Sequence, residues 1–283
     1  MTTPIIERMN RTPLPRHLTL VAGNSFHFKV LGLGVDRKHV VFKASTTSVK
    51  IAVISANPHN REQTLRLDTQ SVVRAREHAT LSAYLATRPT HKATADIELT
   101  IEPRLELSLA GTESNILASM LIVENITPGQ RNFSSVDQAL TSMQWMRWVL
   151  LNRLRLGPAH FGAPKSSTTL TDLIKAPNQV KGFARYPSIE PGQKIVLDDV
   201  LKIANDSSDK NFETYRKYVQ NAIDVAKGHK LGSDPCPTGL YAWRTSGRAS
   251  PGPNFVLYES RGGQDFYTLT NSFLKDPLQR ARD

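Results

Sequence analysis

The sequence predicts a multidomain α+β protein, in which an N-terminal β-sandwich precedes a mainly α-helical domain with a short β region. Up to about residue 108, apolar and polar residues alternate in short runs, which is typical of strands. Beyond residue 108 the apolar residues recur at helical spacing instead. After Gly232 the chain is rich in glycine, proline and aromatic residues, which favours short strands and ordered loops.

The change of pattern also predicts the domain boundaries. Residues 1–16 are polar and contain three prolines, so we expect an extended arm or a flexible leader. Residues 17–108 form the predicted β-domain, with an accessory or targeting role, and residues 109–283 form the predicted helical domain. A chain of 283 residues is long enough for two such domains, each with its own core.

The β-domain is predicted from short apolar runs that recur about every ten residues, with turn residues between them. Such spacing is typical of a two-sheet sandwich, and we expect an immunoglobulin-like architecture. A Cys–Trp–Cys signature is absent, because the chain has a single cysteine. The predicted strands cover residues 17–21, 26–30, 40–42, 49–54, 64–67, 81–85 and 96–101.

The second domain is predicted to contain three main helices and one shorter helix. Thr112 is a suitable N-cap for the first helix, Gly157 ends the second and Gly228 ends the third. The predicted helices cover residues 113–124, 135–155 and 212–227, and the shorter one lies around 197–204.

Charge and composition narrow the function classes. The net charge of +11, from 36 basic and 25 acidic residues, favours polyanionic partners such as nucleic acid, anionic lipid or cell-wall polymers. A solvated basic surface without a dedicated partner is the alternative. No Lys/Arg-rich run or known binding signature is present, so nucleic acid is not the favoured partner.

Cofactors, metals and membrane spans are not expected. The single cysteine, Cys236, cannot form an intrachain disulfide, and the histidines show no metal-ligand spacing. Nucleotide-binding glycine motifs are absent as well. The N-terminus lacks the apolar region of a secretory signal, and no run is long enough to span a bilayer. We therefore expect a chain made in the cytoplasm.

The chemical signal lies in residues 117–155. The predicted first helix ends at Glu124, a loop with Thr-Pro-Gly follows, and the second helix ends in V-L-L-N-R over residues 149–153. This order resembles the cell-wall hydrolase family of spore-cortex-lytic enzymes, within the lysozyme-like lytic transglycosylase superfamily. Members carry an acid at the end of a first helix, a glycine-containing loop and a second helix that ends in V-x-L-N-R. The resemblance implies a lysozyme-like catalytic domain with Glu124 as its acid.

The resemblance continues more weakly downstream, over about residues 112–270 in all. The run N-Q-V-K-G-F at 178–183 is similar to an aromatic, Gln-containing stretch of the family. D-P-C-P-T-G at 234–239 looks like the family's D-P-T-G turn with two extra residues. G-G-Q-D-F-Y at 262–267 looks like its H-x-F-Y strand without the histidine. The second acid of the family's Gly-Glu-Ala-Arg-Gly-Glu-like run is missing beside Glu124.

A general acid must protonate the leaving oxygen of a β-1,4 glycosidic bond. Apolar neighbours and the carboxyl end of a helix both favour a protonated Glu124. An ordinary solvated glutamate is the alternative. The other candidate carboxylates are Glu113, Asp137, Glu190 and Glu259, and none is marked as a catalytic partner by its spacing. This favours a mechanism in which one carboxyl group acts first as the acid and then as the base. The sequence leaves open a lytic transglycosylase or a muramidase outcome.

Sugar sites combine aromatic walls with hydrogen-bonding side chains, and several residues of the second domain suit these roles. Core packing is the alternative for each aromatic residue, and we expect Trp145 and Trp148 to be core or interdomain residues. The predicted walls are Phe183, Tyr186, Tyr241, Trp243 and Tyr267, and the predicted polar contacts are Gln179, Thr238 and Arg244.

The expected function is therefore cleavage of peptidoglycan glycan strands. Without an export signal, the protein would reach the periplasmic wall as an antibacterial effector of a contact-dependent machine such as type VI secretion, or as a phage-type lysin. A delivery component and an immunity protein would then be partners. The alternatives are a non-enzymatic polyanion- or nucleic-acid-binding protein and a structural wall-binding protein.

Overall fold

A computed structural model describes residues 4–32, 40–57 and 59–275. The chain divides into two compact units. The first comprises Met1–Arg104 with Asn205–Phe212, and the second comprises Leu105–Ala204 with Glu213–Asp283. The prediction of a mixed α+β protein is confirmed, and the first boundary lies slightly before the predicted residue 108.

The first unit contains two sheets. One has the strand order β1-β3-β6-β5, and the other has the order β2-β9-β7-β4 with β8 paired to β7. Neighbouring strands are antiparallel except β2 and β9, which are parallel. The strands are β1 Ile5–Arg8, β2 His17–Val21, β3 Ser25–Leu31, β4 Val40–Ala44, β5 Val49–Asn57, β6 Glu62–Thr69, β7 Glu77–Leu85, β8 Arg88–Lys92 and β9 Ile97–Glu102.

Alternation along these strands buries one face of each sheet in a common core. In β6 every second side chain is buried, which places Leu65 and Leu67 in that core. Phe28 of the same sheet meets Phe42 of the other sheet edge-on, with ring centroids 5.3 Å apart. The alternation that predicted the strands is therefore also the pattern that joins the two sheets.

Two strands differ from the sequence-based expectation. Residues 5–8, expected in a flexible leader, form β1 and pair with β3 in the register Ile5 to Leu31. The three prolines lie outside β1, so they do not interrupt its hydrogen bonds. Ile6 packs against the core, which explains why this segment is ordered. Strand β8 was not predicted, because all its residues are exposed and show no alternation.

The second unit is built around helices and a small antiparallel sheet of order β10-β12-β11. A 3-10 helix covers Pro158–Phe161. The other elements are α1 Glu113–Glu124, α2 Val136–Leu156, α3 Leu170–Lys175, α4 Pro191–Ala204, α5 Phe212–Lys227, β10 Ala242–Thr245, β11 Phe255–Arg261, β12 Gln264–Leu269 and α6 Asn271–Lys275.

Local capping explains where the main helices begin and end. Thr112 caps α1 by accepting a hydrogen bond from the Asn115 amide, and Ser135 caps α2 in the same way. Gly157 follows α2 with a φ of 123°, and its N–H donates to the Arg153 carbonyl. Helix α4 begins earlier than predicted, because a proline is compatible with its first position. The short α3 was not predicted.

Helix α1 forms the centre of the second unit's core. All residues from 116 to 122 are buried, so α1 has no polar face in that stretch. Helices α2 and α5 pack in the same cluster, with fully buried residues such as Met143 and Tyr218. Trp145 is buried and meets Phe266 edge-on at 5.1 Å. In the described part of the chain, no helix is both long and apolar enough to cross a bilayer.

Substitution of Leu67 by alanine should destabilise the first unit. Leu67 is fully buried, so the change removes apolar contacts and leaves a cavity, at a cost of about 2 to 5 kcal/mol. Thermal and urea unfolding of the full chain would measure this. Ile54→Ala, at a position 49% exposed on β5, is the control and should cost about 0.5 kcal/mol or less. Equal losses in both variants would contradict the assignment of this core.

Candidate active site

Glu124 is the last residue of the buried helix α1, and contacts on two sides hold it there. The next residue, Asn125, is 3% exposed and donates from Nδ2 to the Ala139 carbonyl of α2 at 2.9 Å. The backbone carbonyl of Glu124 accepts a hydrogen bond from Nε2 of Gln264 on β12 at 3.0 Å. The end of α1 is therefore fixed between α2 and the small sheet.

The half-buried Glu124 side chain lines a cavity of about 720 Å³. The other lining residues come from the end of α2, the 3-10 helix, the loop around residues 178–181, strand β10 with the loop after it, and the first residues of β11 and β12. Among the described residues that line this cavity, Glu124 is the only Asp or Glu. The cavity is large enough to hold sugar-sized ligands.

Burial raises the pKa of Glu124 above the ordinary glutamate value. A hydrogen bond from Trp243 and the positive charge of Lys181 act in the opposite direction, because both favour the ionised carboxylate. Desolvation is the largest of the three contributions, so the net shift is upward. The carboxyl group is therefore better suited to donate a proton near neutral pH than a solvated glutamate is.

Arg153 of α2 forms the second charged feature of the cavity. Its Nε donates to the Tyr241 carbonyl at 2.6 Å, and its Nη1 donates to Oε1 of Gln179 at 2.9 Å. Its guanidinium also lies 5.1 Å from the ring centroid of Phe161 and 5.9 Å from that of Trp243. Burial lowers the pKa of Arg153 to about 10, which leaves it a cation at neutral pH.

The neighbouring Asn152 anchors the segment that leads into β10. It is 7% exposed, and its Nδ2 donates to Oδ2 of Asp234 at 2.6 Å and to the Leu240 carbonyl at 3.1 Å. Gly239 closes this turn with a φ of 86°, and a Cβ there would lie 2.9 Å from the Tyr241 hydroxyl. The run N-R at 152–153 thus holds residues 234–241, which lead into the cavity-lining strand β10.

Four of the predicted site residues are brought together by the fold. Glu124, Gln179, Trp243 and Arg244 all line the same cavity. Gln179 is held between Arg153 and the carbonyl of Phe161, to which its Nε2 donates at 2.6 Å.

The other five predicted contacts lie outside the cavity lining. Phe183 and Tyr186 are buried in the helical core, where the Tyr186 hydroxyl donates to Oδ1 of Asn115 at 2.5 Å. Tyr241 is 8% exposed, and its ring stacks on Phe161. Tyr267 is buried in β12. The exposed Thr238 forms a hydrogen bond between its hydroxyl group and that of Thr268. Aromatic spacing alone did not separate core positions from cavity positions.

Gln264 is a cavity residue that sequence reasoning missed. It is 2% exposed, and its Oε1 has no hydrogen-bond partner in the described part of the chain. An unpaired buried acceptor costs free energy, which a ligand with a suitably placed N–H or O–H would recover. The one signal of Gln264 in the sequence is that it lies in the run G-G-Q-D-F-Y at 262–267. Arg153, Phe161, Lys181 and Arg248 also line the cavity.

Comparisons with known proteins do not assign a family. No protein-family model matches the chain, and no curated protein matches it. Among solved structures, surface layer protein SbsC (domains 1–6) is similar with a TM-score of 0.27 and 12% identity, over 38% of this chain and 14% of that one. The SrpA adhesin of Streptococcus sanguinis is similar with a TM-score of 0.24 and 15% identity, over 39% of this chain and 62% of the adhesin chain.

A titin–obscurin-like 1 immunoglobulin-domain complex gives a TM-score of 0.21 and 19% identity, over 35% of this chain and 92% of that one. The chain spans less than two thirds of the first two proteins, SbsC and SrpA. All three TM-scores lie below 0.5, so these likenesses establish neither fold nor function for this chain.

The raised pKa of Glu124 predicts a pH-dependent effect of Glu124→Gln on stability. A group whose pKa is raised by folding stabilises the fold in its protonated form, and that contribution is lost as pH rises through the raised pKa. Glutamine cannot ionise, so the variant should gain stability relative to the natural chain as pH rises from the ordinary glutamate pKa towards neutrality. Urea unfolding at several pH values would measure this difference.

Glu113→Gln, at the first turn of the same helix, is the control for removing one carboxylate. Its stability difference should not follow the same pH dependence. A Glu124→Gln variant that loses stability with rising pH, relative to the natural chain, would contradict the burial argument.

Proposed function

We propose that this chain cleaves the glycan strands of peptidoglycan, with Glu124 as a single general acid and base. The observation that carries the proposal is the setting of Glu124. Its carboxyl group is half-buried at a helix end, has a raised pKa, and is the one carboxylate among the described lining residues of the cavity. This setting suits proton donation to a leaving oxygen.

In the first step, protonated Glu124 donates its proton to the glycosidic oxygen while the bond from that oxygen to the sugar C1 breaks. The resulting Glu124 carboxylate then accepts a proton from the group that attacks C1. If the attacking group is the 6-hydroxyl of the same sugar, the product is a 1,6-anhydro end. If it is water, the product is a reducing end. Glu124 is the single carboxyl group among the described lining residues, which favours the first outcome, because that outcome needs no second carboxylate.

The rest of the cavity wall has the composition of a sugar site. Trp243, Phe161 and Phe255 provide aromatic surface, and Gln179, Asn178 and Gln264 provide amide groups. Trp243 also lies close enough to the Glu124 carboxyl group to lower its pKa, so it would act on the acid as well as contact a sugar ring. The unpaired Oε1 of Gln264 would accept a hydrogen bond from a hydroxyl or an acetamido N–H.

A finer architecture and a biological setting that fit this activity are also part of the proposal. We propose that the second unit is a lysozyme-like catalytic domain and that the first unit is an immunoglobulin-like sandwich. The two-sheet first unit would dock on a delivery machine or target the wall. The protein would act on the periplasmic wall as an antibacterial effector or a phage-type lysin, with a delivery component and an immunity protein as partners.

A second candidate function is a wall- or polyanion-binding protein without catalysis. The observation that favours it is the presence of four cations, Arg153, Lys181, Arg244 and Arg248, in the lining of the cavity. Binding of the natural chain to sacculi without release of soluble products would support this alternative. Release of muropeptides would support the catalytic proposal.

Glu124→Gln should reduce muropeptide release from purified sacculi by about 100-fold to 10,000-fold, because an amide cannot deliver the proton. Mass spectrometry of the soluble products measures the loss and, for the natural chain, distinguishes anhydro ends from reducing ends. Glu113→Gln on the same helix is the matched control and should retain activity. Full activity of Glu124→Gln, with the expected products, would contradict the proposal.

Trp243→Phe should move the alkaline limb of the plot of kcat/KM against pH to higher pH. The first step needs protonated Glu124, so kcat/KM falls as pH rises above its pKa. The Trp243 hydrogen bond lowers that pKa, and its loss should raise it. The position of the limb, measured from kcat/KM against pH, reports this independently of any loss in binding. Trp148→Phe is the control, and a limb that moves to lower pH would rule out this role.

A further inference from the structure

The cavity around Glu124 carries an excess of positive charge. Arg153, Lys181, Arg244 and Arg248 line it, and Glu124 is the one acidic side chain among its described lining residues. The glycan backbone itself is uncharged where it consists of N-acetylated sugars. Four cations are therefore more than a neutral sugar chain requires.

The charge of Lys181 acts on the Glu124 carboxyl group, but no carboxylate is in direct ionic contact with any of the four cations among the described residues. Arg244 and Arg248 are exposed beside the cavity, on β10 and in the loop that follows it. Exposed cations alone would be satisfied by water, so the decisive residue is Arg153.

Arg153 is a half-buried cation whose hydrogen bonds go to neutral groups. Its Nε and Nη1 bind a backbone carbonyl and the Gln179 amide, and two aromatic rings lie next to its guanidinium. No hydrogen bond to a protein group is seen for its Nη2 in the described residues. Desolvated charges in proteins are normally paired with an opposite charge. An anion in the cavity would supply that charge.

We infer that this cavity binds a carboxylate of the peptidoglycan, held by Arg153 within the cavity and by Arg244, Arg248 and Lys181 beside it. The inference rests on the proposed function. Peptidoglycan offers this group from two sources: the lactyl side chain of muramic acid when the peptide is absent, and the stem peptide when it is present. Guanidinium groups suit either source, because they bind carboxylates with paired hydrogen bonds.

Binding by the full-length Glu124→Gln variant would test the inference without cleavage of the probe. Isothermal titration would compare three probes: a chitin hexasaccharide without carboxylates, a peptide-free muramyl tetrasaccharide, and the same tetrasaccharide with stem peptides. We expect at least one carboxylate-bearing probe to bind about tenfold more tightly than the hexasaccharide at low salt. The two muramyl probes identify which carboxylate is bound. Equal or tighter binding of the hexasaccharide would overturn the inference.

The double variant Arg244→Ala and Arg248→Ala, in the same background, should reduce the ratio of muramyl to chitin affinity by about tenfold. Lys202→Ala removes an exposed cation of α4 and is the charge control, so the ratio should stay unchanged. The preference of the Glu124→Gln protein for the muramyl probes over the chitin hexasaccharide should also weaken at high salt. An unaltered ratio in the double variant would show that these arginines do not bind the carboxylate.

The failures of the two proposals are distinguishable. If the natural chain releases muropeptides but the hexasaccharide binds as tightly as the muramyl probes, the catalytic proposal stands and carboxylate recognition falls. If no muropeptides are released but the muramyl probes bind more tightly in an arginine-dependent manner, carboxylate recognition stands and the catalytic proposal falls.

Discussion

The burial of helix α1 is the constraint on which the candidate site depends. Residues 116–122 are buried all around, so the helix cannot turn or shift without exposing apolar surface. Its last turn is held by specific hydrogen bonds, because the Ile122 carbonyl accepts from Tyr218 and the Glu124 carbonyl accepts from Gln264. The helix therefore delivers the Glu124 carboxyl group to a place where much of its hydration is lost. That loss of hydration is what raises the pKa of the acid.

A second charged residue, Arg153, organises another part of the cavity wall. Arg153 joins α2 to Tyr241 and Gln179, and it lies against Phe161 and Trp243. The cation therefore holds parts of the wall together and also lines the cavity. Trp243 connects the two charged groups, since its ring lies near the Arg153 guanidinium and its indole also lowers the pKa of Glu124. The acid and the cation would then bind different parts of one substrate, a glycosidic oxygen and a carboxylate.

Much of the architecture was predictable because local pattern and burial agree. Helices α1 and α5 begin and end at the predicted residues, and the predicted N-cap Thr112 makes its capping hydrogen bond. Two of the elements that were missed lack such a pattern, because strand β1 is only four residues long and β8 is fully exposed. Helix α3 does bury Leu170, Leu173 and Ile174 at helical spacing, but it has only six residues, so the pattern is a single turn.

The sequence by itself determined the two kinds of unit, the position of Glu124 at a helix end and the amide and aromatic residues from which a site could form. Period and capping are local properties, and they are read directly from neighbouring residues. Only the tertiary structure decided that Gln179, Trp243 and Arg244 line the same cavity as Glu124. It also placed Phe183 and Tyr186 in the core, and Gln264 and Arg153 in the lining of the cavity. An aromatic or amide side chain can fill a core or face a ligand equally well. Which role it takes depends on partners distant in the chain, such as the pairing of Gln264 with Glu124 across 140 positions.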